Sequence, residues 1–163
     1  MRSKIFYITF IFAIVVACAG SVSAQSGKVM EVLDGKTMLV AVDNRSIKIQ
    51  LDYIDVPEVG QPLNETVRSH LQKLVLGKVV QFRTRLISTS TDYTIGQVTL
   101  NGVDISQQLI PDGAAWHLPI RLSGQLPSDH ATFQTIQDAA KKDRLGIWAV
   151  PNIKPAWEYR DEI

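Results

Sequence analysis

Between Ser46 and Tyr53 the chain reads SIKIQLDY, with Ile47, Ile49, Leu51 and Tyr53 on one side of a strict period-two alternation and Lys48, Gln50 and Asp52 on the other. A strand with one apolar face must pair its backbone and cover that face, since unpaired backbone groups and exposed apolar surface both cost free energy. The flanking sequence supplies the neighbours. Gly27–Leu33 and Thr37–Val42 are β-like runs separated by Asp34-Gly35-Lys36, a turn in which glycine can take the positive φ of a hairpin, and Asp43-Asn44-Arg45 turns the chain again before Ser46. Three consecutive strands therefore predict an antiparallel meander.

Beyond Tyr53 the period changes. Leu63, Val67, Leu71, Leu74 and Val75 recur at helical spacing after Pro62, which suits a first helical turn, and Gly77 supplies a C-terminal cap. Lys78–Leu86 and Asp92–Leu100 read as two more strands joined by the polar run STST. Asn101-Gly102 then turns, and Asp104 caps a short helix over Ile105–Ile110. Ser128 or Asp129 can cap a third helix with Phe133, Ile136 and Ala140 on its buried face, basic residues Lys141, Lys142 and Arg144 near its end, and Gly146 closing it. The tail PAWEYR reads as irregular. This order predicts an α+β, mainly β fold: a curled five-stranded barrel of OB type with about three helices.

A chain of 163 residues, 45% hydrophobic and 20% charged, supports one core. Ahead of it, Arg2 and Lys4 precede an apolar run, Ile5–Ala19, that is short for a spanning helix and reads as an export signal. Val22-Ser23-Ala24 before Gln25 suits ordinary cleavage, giving a signal over 1–24 and a folded domain over 25–163 in an extracytoplasmic setting, periplasmic or secreted. Val15-Val16-Ala17-Cys18 resembles the bacterial lipobox instead, which would make the chain a lipoprotein held at a membrane through Cys18. Cys18 is the only cysteine, so no disulfide forms within the chain. Without Arg2 and Lys4, 15 basic residues face 16 acidic ones, which excludes a global basic signature for nucleic-acid binding.

The meander ends at Ile54-Asp55-Val56-Pro57-Glu58, where two carboxylates stand on a rigid turn at the sheet rim. Such a pair serves either metal and water chemistry or simply a strand ending. DGKT, LDYIDVPE, the helix ending at Gly77, TDYTIG, DGAAW, RLGIW and PAWEYR occur in the order and near the spacings of the staphylococcal-nuclease-like (thermonuclease) domain, which the chain resembles from about Lys28 to Arg160. That resemblance implies an OB barrel and, in active members, calcium-dependent hydrolysis of DNA and RNA. Carboxylates hold the calcium, a glutamate activates water, and two arginines neutralise the phosphorane.

Carried over by position, Asp55 matches a calcium ligand and Glu58 the water-activating glutamate. The other parts depart from the pattern. Lys36 stands where DGDT carries its first calcium carboxylate, Val56 replaces the threonine that helps hold calcium, and Gln50 and Ile95 stand where the two arginines belong. The resemblance thus implies a degenerate site that needs no cofactor, with calcium required only if hydrolysis persists. It also implies an ion pair in which Lys36 lies against Asp55 within reach of Glu58.

Substitute cations exist. Arg83 and Arg85 alternate on the fourth strand opposite Phe82 and Leu86, and with Lys48 they are candidate phosphate or ligand contacts, against the alternative of a solvated outer face. Trp116, Trp148 and Trp157 read as core or docking residues and His70 as a packed or surface histidine. Three functions compete: an exported binding module without nuclease activity, a nuclease with a rearranged site, and a lipid-anchored envelope protein. The partner is left open by the sequence, with weak nucleic-acid or envelope-protein binding as the candidates.

Overall fold

The computed structural model describes residues 24–88, 93–118 and 125–162. Residues 1–23 of the expected export signal, Cys18 among them, and Thr89, Ser90 and Thr91 of the STST run lie outside them.

Strands β1 (Gln25–Val32), β2 (Thr37–Val42) and β3 (Arg45–Leu51) form the expected meander, with Met38 opposite Val32 and Gln50 opposite Thr37. A two-residue strand, β4 (Ile54–Asp55), and helix α1 (Asn64–Val75) follow. Strand β5 (Val79–Ser88) then pairs antiparallel with β1 and with β6 (Tyr93–Leu100). The ring closes when β6 runs parallel to β3, setting Gln50 beside Ile95. Val29, Val40, Ile49, Leu51, Phe82 and Val98 fill the interior, each at most 2% exposed. The expected five-stranded OB-type barrel is therefore the observed one.

After β7 (Val103–Asp104) come α2 (Ile105–Leu109), β8 (Trp116–His117), α3 (Pro127–Lys142), a 3₁₀ turn (Gly146–Ala149) and α4 (Ala156–Arg160). Asp104 caps α2 as expected, accepting from the Ser106 and Gln107 amides. Val67, Leu71 and Val75 are the buried stripe of α1, and Phe133 and Ala140 that of α3. Trp116, Ile147 and Ala156 make a smaller second core, against which Trp148 and Trp157 pack. Trp116 thus takes a core role and Trp148 and Trp157 docking roles, within what is expected of them.

Several local expectations are corrected. Pro62 lies before α1, not in it, and Leu63 enters the helix at φ 66°. Helix α3 starts at Pro127, whose missing N–H costs nothing in a first turn, so neither Ser128 nor Asp129 is its cap. It ends at Lys142, and Gly146 opens the 3₁₀ turn instead. The tail is helical, so the described chain carries four α-helices rather than about three. Gly35 does not adopt positive φ. It is required because a Cβ there would lie 2.6 Å from Val67 Cγ1, so the Lys36 turn can seat against α1 only without a side chain.

The largest correction concerns the end of β3. The strand stops at Leu51, and Tyr53 takes φ 66°, a conformation that costs a non-glycine residue about 1 kcal/mol or more. Asp52, expected on the face of Lys48 and Gln50, is 2% exposed. Its carboxylate accepts the Tyr53 amide at 2.8 Å and both Nε and Nη2 of Arg85, the second at 2.9 Å. A bulge between Thr84 and Leu86 makes this possible by breaking the alternation, which turns Arg85 toward Asp52 and leaves Leu86 50% exposed. The Arg85 guanidinium also lies 5.5 Å from the Tyr53 ring centre. Removing it orphans a buried acid, so Arg85→Ala should destabilise the protein by about 1–3 kcal/mol in urea unfolding. Arg85→Ala in an Asp52→Asn background should cost measurably less, and equal costs would show that the pair is uncoupled.

Candidate active site

Asp55 is set in place by its backbone. Strand β4 leaves the barrel and pairs with β8, placing Asp55 opposite Trp116 and Ile54 opposite His117. The Asp55 side chain is 2% exposed, and an ionised carboxylate so far from water has to be compensated by donors and charge. Three groups do this. The Val56 amide donates to Oδ1 at 3.0 Å, Lys36 Nζ donates to the same oxygen, and Arg160 Nη2 donates to Oδ2 at 2.7 Å. Burial alone would raise the Asp55 pKa, but the Lys36 charge and the hydrogen bonds from Arg160 and Lys36 outweigh it and hold the carboxyl below its usual range.

The expected Lys36–Asp55 ion pair is therefore present. Lys36 sits in a turn whose amide donates to Asp34 Oδ1 at 2.8 Å and whose carbonyl accepts from Leu51 at 2.8 Å, so the ammonium springs from a fixed backbone. Its side chain is 14% exposed. Glu58, however, is claimed by Arg160, which donates to it through Nη1 while Nη2 serves Asp55. One guanidinium thus bridges the two carboxylates of the Asp55–Glu58 turn, a geometry that its planar fork allows and an ammonium could not match.

Arg160 is the site residue that sequence reasoning missed. It lies 102 and 105 positions from its partners, in a tail expected to be irregular. The signal was PAWEYR itself: Trp157 and Arg160 stand three apart, on one side of a helical turn, but five residues are too few to show a period. The tail is held beside the turn by Gln61, whose side chain accepts the Glu58 amide at 2.9 Å and donates to the Lys154 carbonyl at 2.8 Å.

Lys36, Gln50, Asp55, Trp157 and Arg160 border one cleft of about 410 Å³. Gln50 and Ile95 are neighbours across the parallel β3–β6 pair, so the two positions matched to arginines lie side by side, with Gln50 on the cleft, and neither supplies a charge. Val56 is buried in the core. Lys48 and Arg83 border two other clefts and Arg85 is committed to Asp52, so the three candidate cations form no common patch. His70 pairs with Asp112 at 3.0 Å on the surface.

Calcium takes six to eight oxygen ligands with carboxylates prominent among them. Here both Asp55 oxygens are held by cations, and among the described residues no three His, Cys, Asp or Glu side chains gather as a metal-binding group. An ammonium against Asp55 repels a divalent ion from the carboxylate it needs. The donor set does not fit calcium.

Comparison with known proteins agrees with the fold. The family model described as staphylococcal nuclease homologue matches residues 48–150. A micrococcal nuclease of Shigella flexneri is 29% identical over 144 residues, covering 82% of this chain and 79% of that protein. An uncharacterized endonuclease of Escherichia coli O157:H7 is 30% identical over 161 residues, covering 98% of each. Protein ParB of Escherichia coli is 26% identical over 164 residues, covering 92% of this chain and 87% of its own.

Breaking the Asp55 cluster should be costly and pH-dependent. Asp55→Asn leaves the half-buried Lys36 ammonium against a neutral amide and should lose about 1–3 kcal/mol at neutral pH. Because the folded pKa lies below the unfolded value of 3.8, the ion pairs stabilise fully above that value and are lost as pH falls through the folded pKa. The stability gap between wild type and variant, measured by urea unfolding across pH, should therefore narrow on acidification; a constant gap would contradict this account.

Proposed function

Since the chain belongs to the staphylococcal nuclease family, we propose that it is an exported member that no longer hydrolyses phosphodiesters with calcium and acts as a binding module. The observation that carries this reading is the double occupation of Asp55: Lys36 holds one carboxylate oxygen and Arg160 the other. The same two cations that make a buried acid tolerable take the place a divalent ion would need. The substitutions on the rim act in the same direction. Each preorganised charge donor missing from such a site costs roughly 10²- to 10³-fold in rate, and two are replaced by Gln50 and Ile95. Export rests on residues 1–24, with Lys36, Asp55 and Arg160 all in the domain that would be delivered.

A second reading, a nuclease with a rearranged site, is favoured by one observation. Glu58 keeps a third of its side chain exposed, next to a guanidinium that borders the Asp55 cleft from α4. Relatives named nuclease and endonuclease give that reading its substrate class.

The purified protein incubated with single- and double-stranded DNA and with RNA in calcium should cleave none of them faster than its Glu58→Gln variant. Calcium-dependent cleavage abolished by Glu58→Gln would establish the second reading instead. Lys36→Asp should gain calcium binding detectable by calorimetry, yet regain appreciable cleavage only when Gln50→Arg and Ile95→Arg are added. Metabolic lipid labelling with a Cys18→Ser control decides between a free and an anchored product: label lost in Cys18→Ser would make the protein a lipoprotein.

A further inference from the structure

A second cleft, of about 490 Å³, lies beyond Trp157 from the Asp55 site, between α3, the 3₁₀ turn and α4. Its walls are rings. Trp116, Trp148, Trp157, His117 and His130 all border it, with Trp116 and Trp157 edge to face at 6.4 Å and the two imidazoles 4.5 Å apart. Among the described residues that border it Lys141 is the one lysine or arginine, its ammonium 5.5 Å from the Trp148 ring centre, and none is a carboxylate. Trp157 borders both this cleft and the one holding Asp55 and Arg160, so one side chain stands between the two.

Flat rings around a slot select a planar ligand, and a lone cation without acids selects an anionic one. A nucleotide is both. Aromatic platforms bind the bases of single strands with little regard to sequence because every base presents a π-face. We infer that this cleft is a base-stacking subsite for single-stranded nucleic acid, taking one base against the indoles that border it, Trp148 and Trp157, with its phosphate toward Lys141. This names a ligand for the binding module proposed above and rests on that reading for its biological sense, although the subsite itself requires no particular outcome at Asp55. A domain with one local cation needs base stacking, because phosphate contacts alone release too few counterions to hold a strand.

The test is a tryptophan-fluorescence titration of the purified protein in EDTA with a ten-nucleotide oligothymidylate and with an abasic strand of equal length. The oligothymidylate should quench the fluorescence and bind roughly ten-fold or more tightly than the abasic strand. Lys141→Ala should weaken binding and lower the slope of log affinity against log salt by about 1. Trp148→Leu should lose roughly ten-fold in affinity, while Lys73→Ala, on the exposed side of α1, should change nothing. Thermal melts establish that each variant is folded; should Trp148→Leu fail to fold, the abasic comparison and Lys141→Ala decide alone. Equal affinity for the abasic strand, no effect of Lys141→Ala, absence of binding, equal affinity for thymidine monophosphate, or quenching by N-acetylglucosamine oligomers in place of the strand would each overturn the inference. Cleavage in calcium bears only on the non-catalytic reading, so the two fail separately.

Discussion

A carboxylate with 2% of its side chain exposed has to be protonated or paired, and the pairing of Asp55 ties together three stretches of chain that have no local reason to meet. Lys36 comes from the first hairpin, Asp55 from the strand that leaves the barrel, and Arg160 from the last helix. Each contributes something the others cannot. The hairpin fixes an ammonium from a rigid turn, β8 pins the backbone of the acid, and the planar guanidinium of the tail spans both Asp55 and Glu58. Burial raises the cost of any missing partner, so the cluster acts as one unit that fastens the tail to the barrel.

Two buried acids stand three residues apart, and their surroundings give them different tasks. Asp52 is satisfied by the Tyr53 amide and Arg85, beside a tyrosine in a left-handed conformation; together these terminate β3 and redirect the chain. Asp55 faces the cleft and meets its cations there. The strained turn at Tyr53 thus stands between a structural ion pair and the site, and the direction in which β4 leaves the barrel follows from it. Packing completes the placement: Gly113 and Gly146 bring their backbones so close that a Cβ on Gly113 would fall 2.1 Å from the Leu145 carbonyl oxygen, which seats the 3₁₀ turn and, beyond it, α4.

Much of this was legible residue by residue. Alternation in SIKIQLDY gave β3 and its inner face as far as Leu51, the turn residues gave the meander, and Asp104 and Gly77 marked helix ends through chemistry that is local to the chain. The substitution at Lys36 was enough to anticipate its partner, because a cation placed against a retained carboxylate has an obvious destination. Alternation misled at two places. By period Asp52 falls on the face of Lys48 and Gln50 although the strand ends before it, and Arg85 falls on Arg83's face although a bulge intervenes. Neither defect leaves a mark in hydrophobicity, since a bulge alters register without altering composition.

By itself, then, the sequence determined the elements whose causes lie within a few residues: strands from period two, helices from period three to four, caps and turns from side chains that bond their own backbone. It also carries, as a matter of residue identity, the positions Lys36, Gln50, Val56 and Ile95 at which it departs from the family pattern it resembles. Only the tertiary structure decided that Arg160 completes the Asp55 cluster, that Gln50 and Ile95 face each other across the barrel seam, and that Trp157 stands between two clefts. Those facts depend on how a closed barrel brings β3 to β6 and returns a tail more than a hundred residues later to the rim where it began. Charge pairing over such separations is set by the packing of the whole core, which no window of sequence contains.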